Sequence, residues 1–403
     1  MLTAERLVVD KPGQILTQVD LLSFKLRTYL GAASQLEANN RVESVMTNNL
    51  EAFRYYSLGV EKANLLRSEE AQALFAKAIA LDPNFAMAPA RIGYVVGVIG
   101  NQPGRAKPYL QKAFQLSDRL TEKDRLQIQA WYATVNFDYA TAIDAFRRLV
   151  SAHPLEVEAY RRLAALLKGE ERFLEAIEVL KQALVIDAGA KDLYNGLGSL
   201  YSLQGRPDEA IAMFQRYVQL APDEPNSHDS LGLGYQWAGR CEEAIQEYER
   251  SLALKPDFEI AIVHLANLYF HHGRYRAAIE QYTRYIKVAP SSAERARGYF
   301  GLGYIELRRG NFKQAARAAA QALKHDKVAL DLPYLLALNK DDLSTAARLK
   351  AEIEKRSTFD RGARDSLRPL VFPRPVHLEI GPGGRSHSKL QAGHRPPPAN
   401  LEC

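Results

Sequence analysis

Between Lys191 and Ser292 the chain repeats itself without a gap, and the length of that repeat restricts its fold more than any other feature. Gly198, Gly232 and Ala266 fall in register, as do Ala210, Ala244 and Ala278, and Pro222, Pro256 and Pro290, each at an interval of 34 residues. A fixed period of this size means stacked supersecondary units, none able to bury its apolar face alone, rather than one globular core. In the middle unit Leu231, Gly232 and Tyr235 keep helical spacing, Gly239 interrupts it, Ala244, Tyr248 and Leu252 resume it, and Pro256 ends it. The spacing predicts two short amphipathic helices joined by a turn. Gly232 and Ala244 lack bulk and let the two backbones approach, while Tyr235 and Tyr248 fill the space beside that contact. Gly239 can take the left-handed conformation that closes a helix, and Pro256 cannot continue one.

The landmarks extend in both directions. Gly59, Ala71, Phe75 and Pro83 mark a first unit; Gly93, Ala106 and Leu110 a second, with an extra residue read as a longer turn at Asn101 to Gly104. Trp131, Ala142 and Phe146 mark a third, Leu163, Ala164 and Ala176 a fourth, and Gly303, Phe312 and Ala315 an eighth. A ninth, around Leu332 to Ile353, keeps Ala346 but shows no proper first helix and reads as a terminal cap. Period, small positions, aromatic positions and terminal proline together resemble the tetratricopeptide repeat. The resemblance implies an all-α fold: a right-handed solenoid of about eight helix-turn-helix repeats plus a degenerate cap, over residues 47–356.

Residues 1–46 do not fit the repeat. Leu7, Val8 and Val9 read as a short strand, and Ile15, Val19, Leu22, Leu26 and Leu30 as one side of a helix. A lone strand and helix cannot bury a core, so the segment is either an N-terminal cap or the remnant of a domain that lies upstream. A strand without a partner in an all-helical array favours the second reading. Residues 357–403 hold seven of the chain's 19 prolines, with Gly381, Gly383 and Gly384 among them, and lack hydrophobic periodicity; this composition reads as a disordered tail, natural or spurious. Residues 361–403 carry +4 of the net charge of +6, so the repeats are close to neutral and nothing in their charge argues for nucleic acid. Cys241 and Cys403 are too few for a disulfide framework, and no signal peptide or membrane span is evident; the expected location is cytoplasmic.

No constellation in the sequence carries catalysis. The GxG pairs at Gly196, Gly232 and Gly301 lie inside first helices, where close packing explains them better than phosphate binding does. His264, His271 and His272 lack a third ligand at matching spacing and read as surface histidines rather than metal ligands. Cys241 falls at a core position. The expectation is a non-enzymatic chain without cofactor or metal.

Binding remains. In tetratricopeptide arrays the residues one step after the inward-packing stripe of each first helix face the concave groove. Carried onto this sequence, that stripe supplies Asn195, then Asp229 and Trp237, then Asn267, Phe270 and His271, and finally Phe300, Tyr304 and Arg308. Such a lining suits a peptide or helical segment of a protein partner, aromatics giving contact area and asparagines holding backbone amides. The positions at which chaperone adaptors carry a basic carboxylate clamp hold Val263, Asn267 and Phe300 here. The stretches Asn48 to Tyr55, Leu116 to Arg125 and Pro225 to Gly232 are similar to the array half of large bacterial signalling proteins, in which it follows a serine/threonine kinase, cyclase or winged-helix domain. That likeness implies a signalling or assembly scaffold. The alternatives are the regulatory portion of a multidomain enzyme or regulator, and a structural self-assembly module.

Overall fold

The computed structural model describes residues 47–359 other than Leu66. The expected strand and helix before residue 47, and the Pro/Gly-rich tail from Asp360 onward, lie outside the described residues. The chain divides into two compact units, residues 1–182 and 183–403. In the first, α1 (Leu50–Asn64) and α2 (Ser68–Leu81) are followed by α3 (Met87–Gly93), which continues as a π-helix over Tyr94–Ile99, and by α4 (Pro103–Gln115). A 3₁₀ turn at Ser117–Arg119 leads into α5 (Glu122–Val135), α6 (Tyr139–Ala152) and α7 (Val157–Gly169); the division falls inside α8 (Phe173–Ile186). The second unit holds α9 (Lys191–Leu203), α10 (Pro207–Leu220), α11 (Pro225–Trp237), α12 (Cys241–Leu254), α13 (Glu259–His271) and α14 (Tyr275–Val288). It continues with α15 (Ser292–Arg308), α16 (Phe312–His325), α17 (Asp331–Asn339) and α18 (Leu343–Phe359). No strand occurs among the described residues, and the fold is the all-α repeat array expected.

Within each unit a first helix packs on the second helix of its own repeat and on the second helix before it. The small positions make this possible. Ala71, Ala106, Ala142, Ala210, Ala244, Ala278 and Ala315 are each fully buried. The glycines serve a partner that periodicity alone did not single out. A Cβ on Gly59, Gly198 or Gly232 would lie 2.6 Å from Phe75, 2.5 Å from Phe214 or 2.8 Å from Tyr248. Each ring stands sixteen residues after its glycine, on the second helix of the same repeat, so the glycine leaves room for the ring at least as much as for the alanine backbone. Gly198→Ala is therefore expected to destabilise the chain. Overpacking costs about 1–3 kcal/mol and outweighs the roughly 1 kcal/mol of helix propensity gained, because Phe214 is itself buried and cannot swing aside. A rise in the urea midpoint of this variant over wild type would contradict the packing argument.

The turn between the helices of a repeat is fixed by the architecture. Gly205, Gly239, Gly273 and Gly310 have φ between 68° and 77°, as expected of Gly239. In the preceding repeats Phe137 and Glu171 occupy the same place, at φ 61° and 59°, despite the steric cost to a side chain there. The second helices α10, α12 and α14 end at Leu220, Leu254 and Val288, two residues before Pro222, Pro256 and Pro290.

Two departures from the sequence reading have clear causes. The extra residue of the second repeat, expected in a longer turn, is taken up inside the first helix, where Tyr94–Ile99 winds as π. A π turn holds one residue more than an α turn, and the wider winding keeps the close positions in contact: a Cβ on Gly93 would meet Leu110 at 2.3 Å, and one on Gly97 would meet Ala106 at 2.4 Å. The ninth repeat does have a first helix, the nine-residue α17, which the sequence reading denied it. Leu332 and Leu336 on it pack against Ala315, Ala319 and Phe300, enough burial to hold a short helix.

Candidate functional site

Of the residues expected to face a partner, the structure brings three aromatic rings together in the second unit. Tyr304 on α15 stands between Phe270 on α13, 5.4 Å away, and Phe300, one turn earlier on its own helix and parallel within 7° at 6.0 Å. All three are half-buried. Their undersides pack on the core: Phe270 on Ala266, Ala278 and Tyr282, and Phe300 on Ala315 and Leu332. His271 is exposed beside Phe270, ring to ring at 5.3 Å, and its imidazole is held below its ordinary pKa by burial and by neighbouring His272. Arg308 is exposed at the last residue of α15. Asn195 and Trp237 are half-buried on α9 and α11, and among the described residues no ring contact joins Trp237 to the stack.

Two expected contact residues are not available to a partner. Asp229 is 4% exposed, and its carboxylate takes a 2.9 Å hydrogen bond from His264 Nδ1 on the first helix of the next repeat. Asn267 is 6% exposed and accepts the hydroxyl of Tyr282. At these positions a polar side chain reaches a neighbouring helix instead of water, α13 from Asp229 and α14 from Asn267. His264, read as a surface histidine, is accordingly an interior one: burial opposes its charge, but the charge and hydrogen bond of Asp229 outweigh this and raise its pKa. One helical step away, His228 lies between Glu247, at 2.7 Å, and the Pro222 carbonyl, at 2.9 Å, and Glu247 also holds Arg250. The interior of the second unit thus contains two histidine–carboxylate contacts, one within a repeat and one between repeats. Unpaired histidine and carboxylate spacing in the sequence gave no sign of them.

The first unit presents a second cluster, which the landmark alignment passed over. Tyr94, on the π turn, stacks on Trp131 with centroids 4.5 Å apart. Arg162 covers the Tyr94 ring at 5.3 Å, donates to its hydroxyl at 2.9 Å and to Glu158 Oε1 at 2.6 Å, while the Tyr94 hydroxyl donates to the same oxygen. Burial and the charge of Glu158 push the Tyr94 hydroxyl up to about 12, against the pull of Arg162. The Arg91 guanidinium also lies over Trp131, 5.6 Å from the ring centroid, with Nε donating to the Tyr56 hydroxyl at 3.4 Å. A ladder of rings and guanidinium groups thus links the first helices α1, α3, α5 and α7.

Among the described residues no group of three His, Cys, Asp or Glu side chains converges as metal ligands. Cys241 is buried at the start of α12 among Ala244, Ile245 and Tyr248, as its core position implied. Val263, at one clamp position, is 2% exposed. No helix among the described residues is long and apolar enough to cross a membrane.

Models of families described as Tetratricopeptide repeat match residues 54–85, residues 167–232, and residues 129–191, 231–293 and 263–331. Among solved structures the chain is similar to the crystal structure of MamA protein, at 24% identity and a TM-score of 0.37, over 41% of this chain and 91% of that one. It is also similar to YrrB, titled a TPR protein with an unusual peptide-binding site, at 20% identity and a TM-score of 0.34, over 47% of this chain and 95% of that one. No curated protein matches.

Proposed function

The chain belongs to the tetratricopeptide repeat family, and from that premise we propose that it is a non-catalytic scaffold that holds a peptide or helical segment of a protein partner against the first helices of its second unit. The observation that carries this reading is the stack of Phe270, Tyr304 and Phe300. Half-buried aromatics supported from beneath supply large contact area with little rotamer entropy left to lose, the property that makes such residues binding hot spots. His271 and Arg308 lie exposed beyond them as polar rim groups. Asn195 and Trp237 belong to the same proposed surface on α9 and α11; Asp229 and Asn267 hold helices together instead.

The test compares capture from source lysate by the full chain and by the Phe270→Ala/Tyr304→Ala double variant, after circular dichroism has shown equal helicity. A partner retained by wild type and reduced at least about tenfold by the double variant is the expected result. Equal retention by both forms would remove the interaction from this surface.

A further inference from the structure

The ring and guanidinium ladder of the first unit contains two arginines in like surroundings but unlike pairing. Arg162, stacked on Tyr94, is neutralised by Glu158 at 2.6 Å. Arg91, stacked on Trp131, has no carboxylate within ion-pair distance among the described residues; its one hydrogen bond goes to the Tyr56 hydroxyl. The acid that acts on it electrostatically, Asp124, takes the Thr121 hydroxyl at 2.7 Å in the first turn of α5, which Thr121 caps. Arg91 is half-buried, and no nitrogen of it is among the buried polar atoms without a partner, so its remaining donors keep contact with solvent. A guanidinium offers five N–H donors in a rigid fork, and stacking on a ring fixes the plane in which the fork points. Glu158 on Arg162 shows what such a stacked fork takes when a carboxylate is within reach.

We propose that Arg91, oriented by Trp131 and Tyr56, receives one acidic side chain of a partner segment lying along α1, α3 and α5. Two features support a built site over an incidental stack. The π winding that begins at Tyr94 lies one turn after Arg91, and π turns inserted in helices recur at functional positions. The rings beside Arg91 are buried, Tyr56 at 6% and Trp131 at 3% exposure, so an ion pair formed there is shielded from water and salt more than a surface pair is. A single planar fork matches a carboxylate in shape and charge; the other guanidinium of the ladder is already occupied by Glu158. The site lies wholly in the first unit and does not rest on the Phe270 and Tyr304 surface.

The probe is a fluorescein-labelled, C-terminally amidated peptide of alternating Ala and Glu, read by anisotropy against the full chain. Its partners in the comparison are the Gln counterpart with the same amide end, and that Gln peptide with a free carboxylate end. The Glu peptide is expected to bind at least about tenfold more tightly than the amidated Gln peptide, in keeping with a charge-assisted hydrogen-bonded pair. Arg91→Gln is expected to bring the Glu peptide down to the level of the Gln peptide with helicity unchanged. Equal binding of Glu and Gln peptides to the unsubstituted chain overturns the proposal, whatever the variant does. Unchanged Glu binding by Arg91→Gln overturns it as well, and preference for the free carboxylate end alone overturns the assignment to an acidic side chain.

Discussion

Tyr248→Ala is expected to cost about 3 to 5 kcal/mol, the range for emptying the site of a large aromatic in a core that cannot close over it. Tyr248 is fully buried, its ring lies against Gly232 and 5.5 Å from the His264 ring, and its hydroxyl donates to Gln236 Oε1 at 2.8 Å. The ring therefore serves three helices, α11, α12 and α13. Tyr248→Phe keeps the ring and removes one hydrogen bond, with an expected cost of about 1 kcal/mol, since half-buried Gln236 can turn its amide toward water. Repeat arrays can unfold in parts, so denaturant unfolding should be paired with hydrogen exchange, in which the protection lost should centre on α11 to α13. A difference between the Ala and Phe variants of under about 1 kcal/mol would mean that the ring does not bear the load that its burial implies.

The same ring shows how far the sequence could be read. Gly232, Ala244 and Pro256 announce a repeat because sterics act within one hairpin, over a dozen residues, and leave the same mark every 34 positions. Helices, turns and their limits follow from such local demands. The π winding did not, because one extra residue can be absorbed in a turn or in a helix, and the choice is made by Gly97 meeting Ala106 and Val135. The proposed contact surface was legible only in part. Phe270, Phe300 and Tyr304, whose rings lie together, were singled out because each is a large ring on a predicted first helix. Asp229 and Asn267 were misplaced because their partners, His264 and Tyr282, lie on other helices, and a stripe drawn on one helix carries no information about what its neighbour offers. Arg91 was missed for the related reason that its ladder joins Tyr56, Trp131 and Tyr94 through the least regular repeats, where insertions hide the register.

Removing Asp229 should have a cost that depends on pH more steeply than the cost of removing His264 does. Asp229 and His264 have side-chain exposures of 5% and 17%, and their 2.9 Å bond joins α11 to α13. The folded-state pKa of His264 lies above its ordinary 6.5: burial alone would lower it, and the charge and hydrogen bond of Asp229 more than reverse this. A group raised in this way contributes stability that is complete below its unfolded value and is lost as pH rises through the folded one. Wild type should therefore lose stability as pH climbs from about 6.5 through the folded value of His264. In Asp229→Ala the imidazole has no counter-charge. At about pH 5.5 it must remain charged and unpaired in the interior or give up its proton, with an expected loss of about 3 to 5 kcal/mol. At about pH 8.5 it is neutral and the loss shrinks toward that of one hydrogen bond, roughly 1 kcal/mol. His264→Ala instead removes the titrating imidazole, so its cost follows only the wild-type loss and should change less between the two pH values. Denaturant unfolding of the two variants at both pH values separates the cases. Parallel losses for Asp229→Ala at pH 5.5 and 8.5 would show that the pair carries no charge in the folded chain and that the contact between α11 and α13 is held by packing alone.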